Sequence, residues 1–171
     1  WRALFNPEPI LNFITPYMRT DDLSQVDPPL AIVAADALTG EDVVLRAGSI
    51  LDAVRASTAL PGLFPPFAID GRLLFDGGLV QPVPVAACDR SRCDFVIGVD
   101  LNAQVLNGLA ASGGASMQLS LPRTLLHAGY VMMRTISREC YRSCPPDILV
   151  QPDLAKIGIL DMHKGRQAYE A

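Results

Sequence analysis

Asp76, Gly77 and Gly78 form the stretch of this chain best suited to chemistry. The carboxylate follows a strand-like run, Arg72-Leu73-Leu74-Phe75, and two glycines follow the carboxylate. Glycine permits positive φ and close backbone approach, so the chain can turn sharply beneath the acid. Strand ends are where α/β enzymes gather ligands and reacting groups. An aspartate held there can take a proton from a weak nucleophile such as a serine hydroxyl, which needs an adjacent base. With the ordinary pKa of about 3.9, aspartate is a feeble base, and apolar walls that desolvate it strengthen it. Phe64, Phe67, Leu74 and Phe75 are the candidate walls, and Pro61, Phe64, Pro65 and Phe67 the candidate pocket residues. Taken alone, the tripeptide reads first as an ordinary Asp-Gly hairpin turn.

The nucleophile is not in the sequence. None of the nine serines stands in the G-x-S-x-G pattern that makes a nucleophile elbow. Ser116, in Gly114-Ala115-Ser116-Met117-Gln118, comes nearest and lacks the last glycine. His127 and His163 match no triad pattern and read as surface or helix-packing residues. Asp36, Asp76 and Asp100, each at a predicted strand end, make a weak metal set suited at best to Mg²⁺ or Ca²⁺. No metal and no cofactor is expected.

The elements that must hold Asp76 are legible in the hydrophobic pattern. Leu30–Ala35 is a continuous apolar run of the buried-strand kind, ending at Asp36. A turn at Leu38–Glu41 and a second strand over Asp42–Arg46 complete a hairpin. Ser49 caps a helix that must end before Pro61-Gly62. A stiff apolar loop, Leu63–Phe67, leads to a hairpin turning at Asp70-Gly71 and ending in Asp76. Pro84–Cys88 suits a short helix, and Asp94–Leu101 another buried strand. Residues 103–118 read as a Gly-rich loop. Pro122–Arg142 reads as a long amphipathic helix with Leu125, Met132, Ile136 and Cys140 on one face. Arg134, Arg138 and Arg142 line another face of it, read as solvated, with anionic lipid or phosphate contact as the alternative. A last strand over Asp147–Gln151 and a terminal helix over Met162–Ala171 follow, and Ile10–Met18 gives a short helix near the start. Strands alternating with helices imply an α/β fold with a mainly parallel, partly mixed sheet.

Half of the residues are hydrophobic and 19% are charged, which excludes a disordered tail. The net charge of -4 gives no sign of a nucleic-acid partner. No apolar run has the roughly 18–20 residues that span a bilayer. Cys88, Cys93, Cys140 and Cys144 lack the tight spacing of a zinc knuckle and read as free thiols. The chain opens on Trp1 rather than Met, which suggests a piece of a longer protein.

In order, the chain shows Ala56-Ser57 with Pro61, Phe64 and Pro65-Pro66, then Asp76-Gly77-Gly78, Pro82-Val83-Pro84-Val85 and Asp94–Asp100. This string resembles the bacterial patatin-like phospholipases over roughly residues 21–171, and Leu38-Thr39-Gly40 after Asp36 resembles their first hairpin. The resemblance implies a three-layer αβα fold, incomplete at its N-terminus, with residues 1–171 as the C-terminal part of one acyl hydrolase domain. It implies a Ser–Asp dyad acting on a lipid or other ester. Asp76 is the dyad acid, Gly77 and Gly78 support it, and an N-terminal segment or another chain carries the serine. It implies a bacterial protein, cytoplasmic or peripheral at a membrane, and a chain inactive alone. The alternative is a non-catalytic fragment, pseudoenzyme or assembly module.

Overall fold

A computed structural model describes residues 5–106, 120–155, 157 and 164–170. The chain divides into two compact units, between Ala87 and Cys88. The first unit holds α1 (Glu8–Ile14), β1 (Ile32–Asp36), β2 (Asp42–Leu45), α2 (Ile50–Ser57), β3 (Phe67–Ile69) and β4 (Arg72–Asp76). Its strands form one sheet in the order β2-β1-β4-β3, and every neighbouring pair is antiparallel. The second unit holds β5 (Ile97–Val99), α3 (Leu121–Ser143), β6 (Ile148–Val150) and α4 (Gly165–Tyr169), with β5 and β6 parallel.

Short polar connections account for the first sheet. Asp36 closes the β1–β2 turn, its Oδ1 accepting the Leu38 and Thr39 amides at 2.9 and 3.0 Å. Asp70 and Gly71, both at positive φ, make the two-residue β3–β4 turn, a pairing that suits the twist of a hairpin. The Ser49 hydroxyl accepts the Asp52 amide at 3.2 Å and caps α2, an interaction worth about 1 kcal/mol. Ala34 on β1, Ala56 on α2 and Leu74 on β4 are almost wholly buried in one cluster. The two alanines let the helix lie close over the middle of the sheet, and dense packing of this kind is the main source of stability. Leu23, Ile50 and Ala53 form a second buried cluster.

In the second unit, Asp147 ties β5 to β6. Its carboxylate accepts the Val96 amide at 2.8 Å and an Arg90 N–H at 3.1 Å. Asp100 is buried and accepts the Tyr141 hydroxyl of α3 at 2.8 Å. Burial and that neighbour push the Tyr141 pKa up, which keeps the hydroxyl a donor.

The expected mainly parallel sheet is corrected by these pairings. Among the described residues the larger sheet is antiparallel, and parallel pairing is confined to β5 and β6. Hairpins need only short turns, whereas parallel neighbours need a crossover, and the turns at 37–41 and 70–71 supply hairpins. The buried strand expected over Asp94–Leu101 is also shorter and more open. Phe95, Ile97, Val99 and Leu101 are each more than half exposed, while the alternate residues Val96 and Asp100 are buried. Of the expected apolar face of α3, Leu125 and Met132 are exposed and Ile136 and Cys140 half-buried, and Tyr130 and Ser137 are the buried residues. Most of the Gly-rich stretch 103–118, and the residues 158–163 that include His163, lie outside the described residues.

Candidate active site

Asp76 is the last residue of β4, set opposite Ala34 of β1. Its amide donates to the Ala59 carbonyl just beyond α2, at 3.1 Å, so sheet and helix both fix its backbone. Gly77–Leu79 then makes a 3-10 turn, closed by the Val80 and Gln81 amides on the Gly77 carbonyl. Gly77 is buried against β1, where a Cβ would overlap the Val33 carbonyl oxygen and stand 2.7 Å from its carbon. The turn therefore requires glycine for space.

The Asp76 carboxylate is half-buried. Its Oδ1 accepts the Gly78 amide at 2.7 Å. Among the described residues no cation forms an ion pair with it. Burial raises its pKa above the ordinary value of 3.8, and the Gly78 amide opposes the shift. An unpaired, partly desolvated carboxylate with one oxygen uncommitted is a competent proton acceptor.

The proposed walls sit in different places. Successive strand residues point to opposite faces, so Leu74 shares Asp76's face and Phe75 faces away. Leu74 is buried under α2 with Ala34 and Ala56. Phe67, opposite Leu74, packs against the same cluster and carries the Arg55 guanidinium 4.7 Å over its ring. Phe64 is half-buried, with its ring 6.1 Å from that of Phe5. Pro65 is half-buried and lies just before β3, outside its pairing with β4. Pro61 is exposed beside Gly62, which has positive φ.

Asp36 plays a different part from Asp76. It is buried, and Arg72 Nε donates to its Oδ2 at 2.8 Å across β1 and β4. That bond, with the Leu38 and Thr39 amides, holds its pKa down at about 2. Asp100 is likewise engaged, by Tyr141 and the Asn102 amide. Among the described residues no cluster of three His, Cys, Asp or Glu could hold a metal ion. The Arg72 brace, four residues before Asp76 on the same strand face, went unmarked in the sequence. Its signal was a strand with charges at both ends of one face, Arg72 and Asp76, facing a strand that ends in Asp36.

This brace predicts an acid response. Asp36 has a folded pKa below its unfolded one, so its contribution to stability is complete above the ordinary value of 3.8 and is lost as the pH falls through about 2. Asp22 and Asp147 are also shifted down and will add to the loss. Thermal melts of the Asp36→Asn chain should therefore show a lower midpoint near neutral pH and a shallower decline on acidification. Equal declines in both proteins would refute the assignment.

A family model described as patatin-like phospholipase matches residues 1–89, the half of the chain that holds Asp76. The chain belongs to the patatin-like phospholipase family. The match begins at residue 1 and stops at 89, whereas the resemblance read from the sequence ran from about residue 21 to the end. An uncharacterised NTE family protein of Mycobacterium bovis is 33% identical over 139 residues, covering 72% of this chain and 39% of that protein. A second one from the same organism is 32% identical over 157 residues, covering 81% of this chain and 26% of that protein. Lysophospholipase NTE1 of Kluyveromyces lactis is 28% identical over 134 residues, covering 68% of this chain and 9% of that protein. The chain thus spans about two fifths or less of the length of these curated relatives.

Proposed function

We propose that this chain is the aspartate-bearing, C-terminal part of a three-layer αβα serine acyl hydrolase domain of esterase or lysophospholipase type. The serine and its G-x-S-x-G elbow are contributed by a preceding segment or a second chain. Asp76 Oδ2 takes the serine proton as the serine oxygen attacks the ester carbonyl, and Asp76 returns that proton to the departing alcohol. Water, deprotonated by the same carboxylate, then attacks the acyl-serine, and Asp76 returns that proton to the serine oxygen as the serine–acyl bond breaks and the acid leaves. Oδ1 stays on the Gly78 amide throughout, so the base keeps its orientation.

The observation that carries this reading is the carboxylate at the β4 end, desolvated and free of any ion pair among the described residues. Membership of a phospholipase family supports ester chemistry, as does the lysophospholipase among the relatives. The apolar face of β5 and β6 supports a missing layer. Parallel strands normally have both faces covered, and here Phe95, Ile97, Val99 and Leu101 lie open beside Ile148 and Val150. The reading places the protein in a bacterium, in the cytoplasm or at a membrane surface. No helix among the described residues is long and apolar enough to cross a membrane.

The test is the pH dependence of kcat/KM for the serine-bearing protein on a nitrophenyl ester and on a lysophospholipid. Because Asp76 must be ionised to act, activity is expected to fall on the acid side through a single limb. Burial should place that limb above the ordinary carboxylate value of 3.8. A profile with no acid limb attributable to a carboxylate would overturn the assignment.

A further inference from the structure

We infer that the outer face of α3 is an interfacial surface that docks on anionic lipid. Leu121, Leu125, Ala128 and Met132 are exposed and recur at i, i+4, i+7 and i+11, a single line along a helix. The line is about 17 Å long at 1.5 Å per residue. Beside it runs a second exposed line, Val131, Arg138 and Arg142, also at i, i+7 and i+11. Tyr130 and Ser137 are buried on the opposite side, so packing fixes which face looks outward.

Charge chooses the occupant. The chain carries -4 overall, yet the described side chains of α3 include Arg134, Arg138 and Arg142 against one acid, Glu139. Glu139 meets Arg142 at 3.3 Å in a highly exposed pair, which is weak and readily exchanged for a phosphate. Leucine and methionine sinking into the acyl boundary, with arginines reaching sideways to phosphates, is the arrangement of a helix lying in a membrane interface. A protein-binding face would be expected to offer aromatic anchors, and the one aromatic residue of α3 with a fully buried side chain, Tyr130, points inward. Pairing with a second copy would bring two arginine lines together. The inference is independent of Asp76 and its role.

The experiment is co-sedimentation of the whole chain with vesicles of phosphatidylcholine alone and of phosphatidylcholine mixed with phosphatidylglycerol, at low and high salt. Binding is expected to the mixed vesicles and to weaken with salt. Leu125→Ser with Met132→Ser, and separately Arg138→Gln with Arg142→Gln, should each lower partitioning about tenfold or more. Val99→Ser, on the open face of β5, should leave it unchanged. Melting curves check that the variants fold. Hydrogen exchange on the unaltered chain gives a second reading, with added vesicles slowing exchange over residues 121–132. The inference is overturned by absent binding to mixed vesicles, by binding indifferent to the helix substitutions, by loss with Val99→Ser, or by protection confined to other segments. A dimer in solution that Leu125→Ser with Met132→Ser dissolves, without vesicle binding, also overturns it.

Discussion

Asp76→Asn in the serine-bearing protein is expected to lower ester hydrolysis about 10³-fold or more while leaving the fold at least as stable as before. The two halves of this result follow from one geometry. The asparagine oxygen can still accept the Gly78 amide that Oδ1 accepts at 2.7 Å, so the 3-10 turn keeps its N-cap. The Asp76 amide still reaches the Ala59 carbonyl. What disappears is the proton-accepting oxygen and the charge. Because burial raises the Asp76 pKa, the folded state binds the proton more tightly than the unfolded chain does. A raised acid contributes most to stability at low pH and withdraws that contribution as the pH rises through its folded value, so at neutral pH its charge opposes folding. Asparagine removes that opposition. Parallel kinetics and urea unfolding at neutral pH and near pH 4 measure both effects. Near-normal kcat/KM would remove Asp76 from the chemistry. Lost activity accompanied by a much lower unfolding midpoint would show that the carboxylate is a structural support instead.

The first unit was legible in the sequence because its signals are local. The apolar run ending at Asp36, the Ser49 cap and the Asp70-Gly71 turn each act within a few residues, and β1, β2, α2, β3 and β4 fall where those signals put them. What was hidden is pairing between distant strands. An apolar run such as Leu30–Ala35 marks a strand buried on both faces, but it does not state the direction of its neighbours. Here β1 lies between β2 and β4, antiparallel to both, so the parallel expectation failed where direction depended on strands 40 residues apart. The second unit misled for another reason. The Asp94–Leu101 run was read as a buried strand and the apolar helix residues as one amphipathic face, and the Phe95–Leu101 face and the Leu125–Met132 line are open. Apolar patches of that kind mark surfaces meant to be covered, and hydrophobic spacing alone does not separate a surface of that kind from a packed core face.

The site shows the same division. Asp76 with its two glycines was singled out by its place after a strand-like run, and its dyad role came only from the family resemblance. The Asp36–Arg72 brace could not be read there, since it joins residues 36 apart, and Asp36 entered the sequence reading only as a member of a weak metal set. Their partners set the two acids apart. One carries a guanidinium and two amides and is held as a permanent anion, and the other has a single amide and an apolar setting that makes it basic.

Gly77→Ala is the second large effect, and it acts through space. A Cβ at Gly77 would overlap the Val33 carbonyl oxygen and lie 2.7 Å from the carbonyl carbon and 3.3 Å from the Ala34 nitrogen. All three atoms belong to the backbone of β1, the strand flanked by β2 and β4, so no side chain can swing aside. Either β1 and the start of the turn separate, or the turn unwinds and releases the Gly78 amide from Asp76. Overpacking against fixed backbone costs about 3 kcal/mol or more, a large part of the roughly 5–15 kcal/mol that holds a domain together. Gly71→Ala is the natural comparison. A Cβ there meets nothing within 4 Å, and only its positive φ of 77° penalises alanine, by about 1 kcal/mol. Urea midpoints should therefore fall far more for Gly77→Ala than for Gly71→Ala. Only the former should take hydrolysis down with it in the serine-bearing protein, because its strain falls between Asp76 and the amide that orients it. If Gly77→Ala is no more damaging than Gly71→Ala, β1 does not press on the turn, and the placement of the Asp76 carboxylate must be explained by something other than that close approach.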